Sequence, residues 1–263
     1  MSAPRRLLTL GHSYVVGTNR RLADALAAAG AGEWEVTAAA PETFHGDFGP
    51  LRLAPLPGER SRLVGVPVHL GRPTHTLLYG RRLRALLREG WDVVHCWEEP
   101  FVLSAAQVAR WTPPTAKLVF ATFQNLPKRY PPPFGWVERY ALRRADGWIA
   151  FGHTVAEALR GRPGYRGLPH RVIPPGVDTD AFRPDPSAGR RTRTQLGWDD
   201  GPPVVGFLGR FVPEKGVRLL MAVLDRVDAP WRALFVGGGP LDAEVRAWAA
   251  RHGDAVRVAG GVP

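Results

Sequence analysis

Short apolar runs alternate with stretches of helical spacing along most of the chain. The runs at RRLLTL (5–10), WEVTAAA (34–40), WDVVHCW (91–97), AKLVFAT (116–122), GWIAF (147–151) and HRVIP (170–174) predict strands. Between most of them, apolar residues recur at helical intervals over 18–30, 75–90, 101–111, 135–145 and 153–161, and the first two of these segments close on Gly30 and Gly90. Strands alternating with helices predict a parallel sheet covered on both faces. The unbroken apolar character of DVVHCW and KLVFAT agrees, because a strand buried on both sides has no polar face to show. Sheets of this kind bind ligands at the carboxyl ends of their strands.

The periodicity breaks at PPGVDTDAFRPDPSAG (174–189), where proline, glycine and aspartate impose turn chemistry. It then restarts with a helix at 190–198, strands at 203–209, 231–237 and 255–260, and helices at 216–227 and 240–253. The expected organisation is an α/β domain over 1–173, a linker over 174–189 and a second α/β domain over 190–263. Three strands fall short of the five or six of an average sheet, so the second domain is expected to be incomplete. An unpaired edge and exposed apolar faces would then favour aggregation or partial disorder beyond residue 190.

Composition narrows the function classes. With 263 residues, 44% of them hydrophobic, the chain can fill two ordinary cores. The formal charge of +11 comes almost wholly from arginine, since Lys117, Lys128 and Lys215 are the only lysines. The arginines are scattered and no basic run is interleaved with aromatics, which argues against nucleic acid as partner. A single cysteine, Cys96, rules out an internal disulfide, and neither it nor the histidines show metal-ligand spacing. The apolar run near the N-terminus is broken by Gly11, His12 and Ser13, which favours a buried strand over a signal peptide. No stretch is long enough to span a bilayer. A cytoplasmic protein is expected, in peripheral contact with the inner face of the membrane at most.

The strongest chemical candidates lie in GFLGRFVPEKGVRLL (206–220), where Arg210 follows a strand and Lys215 and Gly216 open a helix. Two cations at the carboxyl edge of a parallel sheet, beside a helix N-terminus, suit a diphosphate. The bland alternative is a solvated loop with ordinary first-turn residues. The next loop, FVGGGPLDAEV, adds Gly237, Gly238 and Gly239, where a ligand can approach the backbone closely. It is a poor dinucleotide fingerprint, because Asp242 stands where the third glycine belongs.

Taken together, VIPPGVDTDAFRP, VVGFLGRFVPEKGVRLLMAVL and LFVGGGPLDAEVRAWA, in that order and spacing, resemble the linker and first half of the second domain of family 4 glycosyltransferases. The N-terminal alternation is similar to the acceptor-side domain of the same enzymes. The resemblance implies a GT-B fold, with two Rossmann-like parallel-sheet domains facing a cleft. It implies a retaining transferase that moves a sugar from a nucleoside diphosphate sugar to a hydroxyl acceptor, a glycan, lipid or small metabolite, with no metal or other cofactor required. Arg210 and Lys215 match the residues that hold the donor diphosphate, with Gly209, Gly237 and Gly239 around them. No side-chain base is required by such chemistry, in keeping with the absence of an obvious catalytic dyad.

Three departures from the family pattern stand out. His12, Ser13 and Tyr14 occupy the first loop where a glycine pair is usual, Gln124 replaces a histidine after the fourth predicted strand, and the glutamate-rich motif of the second domain has no counterpart before Pro263. The chain as it stands is therefore expected to be a truncated form without turnover. Gln124 and Asn125 are candidate contacts for sugar hydroxyls, or simply turn residues. In HCWEEP, Glu98 is a candidate to orient the acceptor, while Glu98 and Glu99 equally suit a helix N-terminus. NLPKRYPPPFGWVERYALRRA (125–145) has the basic and aromatic residues of a membrane-docking segment, and also those of a proline-ordered loop leading into a core helix. The alternatives to an enzyme are a nucleotide-sugar or phospholigand binder without turnover and, with less support, a nicotinamide-dependent oxidoreductase.

Overall fold

The computed structural model describes residues 3–46, 49–198 and 201–260. It divides into two compact units, Met1–Gly176 and Val177–Pro263.

Unit 1 is built on a parallel sheet of β1 (Arg5–Leu10), β2 (Trp34–Pro41), β5 (Arg62–Val66), β8 (Val93–Cys96), β9 (Lys117–Thr122), β10 (Gly147–Ala150) and β11 (His170–Val172), in the order β11-β10-β9-β8-β1-β2-β5. The two small antiparallel pairs, β3 (Thr43–Gly46) with β4 (Gly49–Arg52) and β6 (Val68–His69) with β7 (Leu78–Tyr79), lie in the long β2–β8 connection. The helices are α1 (Gly17–Ala29), α2 (Arg81–Leu86), α3 (Leu103–Trp111), α4 (Phe134–Arg144) and α5 (His153–Arg160). Alternate residues of the central strands serve two cores, as a pleat buried on both faces requires. Leu8, Leu10, Val94, Cys96 and Phe120 pack against residues of α2, α3 and α4, while Val36, Ala38 and Ala40 pack with Tyr14 and Ala23 on the α1 side.

Two sequence expectations need correction here. The helix expected over 75–90 is confined to Arg81–Leu86, because buried Leu77 and Tyr79 belong to a turn and short strand before it and Gly80 caps its start. The edge strand β5 was not anticipated. Its pattern is only half-buried, and prolines and glycines surround it.

Unit 2 has a three-stranded parallel sheet of β12 (Val204–Arg210), β13 (Arg232–Gly238) and β14 (Val256–Ala259), in that order. α7 (Val217–Leu224) and α8 (Asp242–Arg251) cover one face through Met221, Leu224, Val245 and Trp248. On the other face of β12, Leu208 is 79% exposed. The expected linker is also shorter than the sequence suggested, because α6 (Pro186–Gln195) begins four residues before the expected helix start at 190. Asp185 caps it by accepting from the Ser187 and Ala188 amides, and Pro186 takes the first helical position. No helix among the described residues is long and apolar enough to cross a membrane.

Candidate functional site

In unit 1 the chain builds outward from β1 in two directions, β2 and β5 to one side and β8 through β11 to the other. The order therefore reverses between β1 and β8, and the helices that follow these strands, α1 and α3, pack on opposite faces. At such a switch point the departing connections leave a crevice at the carboxyl ends of the two strands. His12 lies just beyond β1 and Glu98 just beyond β8.

The two strand ends run unusually close together. A Cβ on Gly11 would lie 2.9 Å from both the Cβ and the carbonyl oxygen of Trp97, so glycine is required there. The chain then makes a single 3-10 turn, His12–Val15, and enters α1. This turn aims the His12 ring at Glu98. The carboxylate accepts from His12 Nδ1 at 2.5 Å and from the His12 backbone N–H at 2.8 Å. It also accepts from the Tyr79 hydroxyl at 3.0 Å. Glu98 is buried, whereas the His12 side chain retains 26% of its exposure. Burial pulls the His12 pKa down, but the charge and hydrogen bond of Glu98 outweigh it and raise the pKa above the ordinary 6.5. In the neutral ring, Nδ1 holds its proton toward Glu98 and Nε2 is left as the acceptor.

This contact revises two expectations. A histidine–carboxylate dyad is present after all, formed by residues 86 positions apart in the sequence. Neither glutamate serves the N-terminus of α3, which begins only at Leu103. Glu99 is instead a half-buried clamp on the loop after β9, accepting from Thr122 Oγ1 at 2.7 Å and the Phe123 amide at 2.6 Å. Burial raises its pKa despite these hydrogen bonds. Gln124 and Asn125 follow on that clamped loop, the first half-buried and the second exposed. The Ser13 hydroxyl is buried with no hydrogen-bond partner, and its carbonyl accepts from Asn19.

Sequence reasoning missed Tyr79, which it placed in a helix, and the aromatic cluster at the same sheet edge. The Trp97 ring lies 4.7 Å from that of Phe151 and 5.6 Å from that of Phe123, the latter 48% exposed. Aromatics at or directly after the ends of three predicted strands were the available signal. His95, one turn of the pleat below, is a core histidine. Its Nδ1 meets Thr9 Oγ1 at 2.9 Å, and burial lowers its pKa to about 4.

In unit 2, Arg210 is the last residue of β12 rather than the first after it, and a 3-10 turn, Pro213–Lys215, separates it from α7. Phe211 is fully buried and anchors this turn in the core. Gly216, at φ 74°, lets the chain swing from the turn into the helix. Arg210 is 42% exposed at the side chain, with Glu214 at 3.9 Å. Lys215 is exposed and has no ion pair or side-chain hydrogen bond among the described residues.

The glycines around this turn make room first for the protein itself. A Cβ on Gly237 would lie 1.9 Å from the Gly209 carbonyl oxygen, and one on Gly239 would lie 2.9 Å from that of Phe211. The loops after β12 and β13 interlock through Phe211 N–H to Gly238 O at 2.7 Å and Leu241 N–H to Phe211 O at 3.0 Å. The glycine run thus fixes the cationic turn against its neighbour.

Two family descriptions match the chain: Glycosyltransferase Family 4 over residues 15–181 and Glycosyl transferases group 1 over residues 190–263. The chain is 31% identical over 217 residues to a 2-deoxystreptamine glucosyltransferase of Streptomyces kanamyceticus, covering 76% of this chain and 55% of that one. It is 34% identical over 194 residues to a GDP-mannose-dependent alpha-(1-6)-phosphatidylinositol monomannoside mannosyltransferase of Mycobacterium tuberculosis, covering 69% and 48%. The chain spans about half the length of the curated relatives it matches. Among solved structures, Anabaena Alr3699/HepE in complex with UDP-glucose is similar, with a TM-score of 0.71 at 19% identity, over 98% of this chain and 69% of that one. Sucrose-phosphate synthase from Thermosynechococcus elongatus gives a TM-score of 0.68 at 20% identity, over 98% and 71%. These likenesses show the GT-B fold.

Proposed function

The chain belongs to Glycosyltransferase Family 4, and from that membership we propose that it moves a sugar from a nucleoside diphosphate sugar to a hydroxyl acceptor, with retention at the anomeric carbon and without a metal ion. The observation that carries this reading is the cationic turn of unit 2. Arg210 and Lys215 bracket a turn at the carboxyl edge of a parallel sheet, locked by a buried phenylalanine and a glycine-dependent loop contact.

Transfer breaks the bond between the anomeric carbon and the diphosphate, leaving the electron pair on a phosphate oxygen. Fixed cations lower the energy of that charge as it develops, the role a metal ion fills elsewhere. The acceptor oxygen forms the new bond to the anomeric carbon, and its proton passes to the departing diphosphate. On the acceptor side, His12 Nε2 accepts a hydrogen bond from a second, non-reacting hydroxyl of the acceptor, with Glu98 holding the ring in the required tautomer. Gln124 and Asn125 contact sugar hydroxyls, and Ser13 belongs to the same loop as His12. Gly209, Gly237 and Gly239 shape the seat of the diphosphate.

The names of the relatives and of the similar structure favour guanosine and uridine diphosphates as the donor classes to examine. The acceptor is a glycan, lipid or small metabolite, and a lipid-linked acceptor would bring a cytoplasmic protein to the inner face of a membrane. Calorimetric titration with UDP, GDP and a non-nucleotide diphosphate tests the reading, with an Arg210→Ala, Lys215→Ala double variant as control. Binding that the double variant loses supports a diphosphate site at the turn. Equal binding by both proteins removes Arg210 and Lys215 from the donor site.

A further inference from the structure

Arginines that sit at helix C-termini are ordinarily explained by the carbonyls they cap. At the ends of α2 and α3 that explanation is already used up. The Leu86 carbonyl accepts from Trp91 Nε1 at 2.7 Å, and Arg6 donates to the carbonyls of Glu89 and Gly90. The Val108 carbonyl accepts from Thr112 Oγ1 at 2.7 Å, and Arg144 donates to the carbonyls of Ala109 and Thr112. The neighbouring carboxylate, Glu89, is engaged by Arg62 at 3.0 Å and lies 3.9 Å from Arg6.

Arg84, Arg88 and Arg110 remain. Among the described residues they make no ion pair and no side-chain hydrogen bond. They converge on one cavity of about 350 Å³, which Trp111 and Tyr140 also line. That volume falls in the range of small-ligand pockets, about 300–1,000 Å³. No carboxylate lines it. Three exposed guanidinium groups line one groove without an anion, and a guanidinium fork matches phosphate oxygens in pairs. The two rings offer apolar walls for the remainder of a ligand. Since α3 runs back from the carboxyl end of β8 toward the start of β9, its last residues, Arg110 and Trp111, lie at the sheet edge opposite His12.

We propose that this cavity, formed by α2, α3 and α4 away from the dyad, is a binding site for a phosphate-bearing anion. The ligand carries more than one negative charge, and its phosphates are those of a soluble phosphate ester or of a lipid headgroup.

Calorimetry with inositol hexakisphosphate tests the soluble source. Co-sedimentation with phosphatidylcholine vesicles, with and without phosphatidylglycerol, tests the lipid one. The variant is Arg84→Gln, Arg88→Gln, Arg110→Gln, whose positions are all exposed. Because the chain carries a charge of +11, the control removes equal charge elsewhere, by Arg183→Gln, Arg190→Gln, Arg226→Gln, also exposed positions. At least a tenfold loss of affinity for one of the two probes is expected in the first variant and not in the second. Loss confined to inositol hexakisphosphate assigns a soluble phosphate, and loss confined to the phosphatidylglycerol vesicles assigns a headgroup. Equal losses in the two variants, or binding by the wild-type chain to neither probe, overturns the proposal. Titration with UDP and GDP runs alongside, so that failure at this cavity is distinguishable from failure of the donor turn.

Discussion

Replacing Glu98 by glutamine keeps the shape of the side chain and removes its charge, and the consequences can be worked through atom by atom. The carboxylate accepts three hydrogen bonds, two from His12 and one from Tyr79, with no exposure to water. An amide has one accepting oxygen and one NH2. If the oxygen keeps the His12 amide and Tyr79, the NH2 faces Nδ1 and must donate to it. His12 then carries its proton on Nε2 and no longer presents an acceptor to the crevice. The opposite orientation leaves the buried His12 N–H facing a donor, which costs about 1–3 kcal/mol. The first arrangement is therefore expected, and nitrogen-15 shifts of the His12 ring should exchange their protonated and unprotonated positions at pH 9.

Stability follows with a pH dependence of definite sign. The folded pKa of His12 is raised above 6.5, so the pair's contribution is fully present below 6.5 and is lost as pH rises through the folded value. Below 6.5 the substitution removes one partner of a largely buried ion pair, a loss of about 3–5 kcal/mol, discounted somewhat for the exposed edge of His12. At pH 9 the ring is neutral and the hydrogen bonds lose only their charge assistance, a smaller loss of about 1–2 kcal/mol. Amide exchange of β1 and β8 measures this in unit 1 without interference from unit 2. A stability gap between wild type and Glu98→Gln that is equal at pH 5.5 and pH 9, together with unmoved ring nitrogens, would refute the coupling.

Glu214→Gln should strengthen diphosphate binding. Glu214 stands 3.9 Å from Arg210 on an exposed turn, and releasing a surface pair of at most about 1 kcal/mol corresponds to at most about fivefold in affinity; calorimetry showing weaker binding would count against competition between the two anions. Gly237→Ala should prevent the unit 2 sheet from forming, since the new Cβ would lie 1.9 Å from the Gly209 carbonyl oxygen at a φ of 145°. Limited proteolysis should then cut beyond residue 200 while unit 1 resists, and unchanged resistance of both units would show that the two loops can separate without loss.

Most of the sheet was legible because buried parallel strands carry their own signal. LLTL, DVVHC, KLVFAT and GWIA are mostly apolar with no polar alternation, and a strand buried on both faces or a buried helix suits such runs. β5 escaped because an edge strand shows only half the pattern. The false helix over 75–80 arose because Leu77, Leu78 and Tyr79 are dense enough in apolar residues to extend the real periodicity of α2 backwards. The His12–Glu98 contact was beyond sequence reading for another reason. Each residue was recognisable as lying at a strand end, but their meeting depends on β1 and β8 being neighbours, and strand order is not written in any local pattern. Gly237 and Gly239 stand out in the sequence as glycines that matter, yet the atoms they make room for belong to the protein's own backbone at Gly209 and Phe211, at the end of β12.

Arginine gives the clearest case of what partners reveal and composition hides. Arg20 is fully buried, and its guanidinium meets Glu59 at 2.5 Å, the Tyr14 carbonyl at 2.7 Å and the Ala54 carbonyl at 2.5 Å. Arg162 meets buried Glu138 at 3.2 Å and the carbonyls of Lys128 and Leu126, which holds the loop that follows Asn125. Such groups have exchanged water for fixed partners, and removing one partner would strand a buried charge. Arg84, Arg88 and Arg110 differ in kind, since each is exposed, so an arriving phosphate displaces water instead of dismantling the core. A chain with so strong an arginine bias uses one residue type for both purposes, and the two are separated by whether a carboxylate or carbonyl already fills the fork.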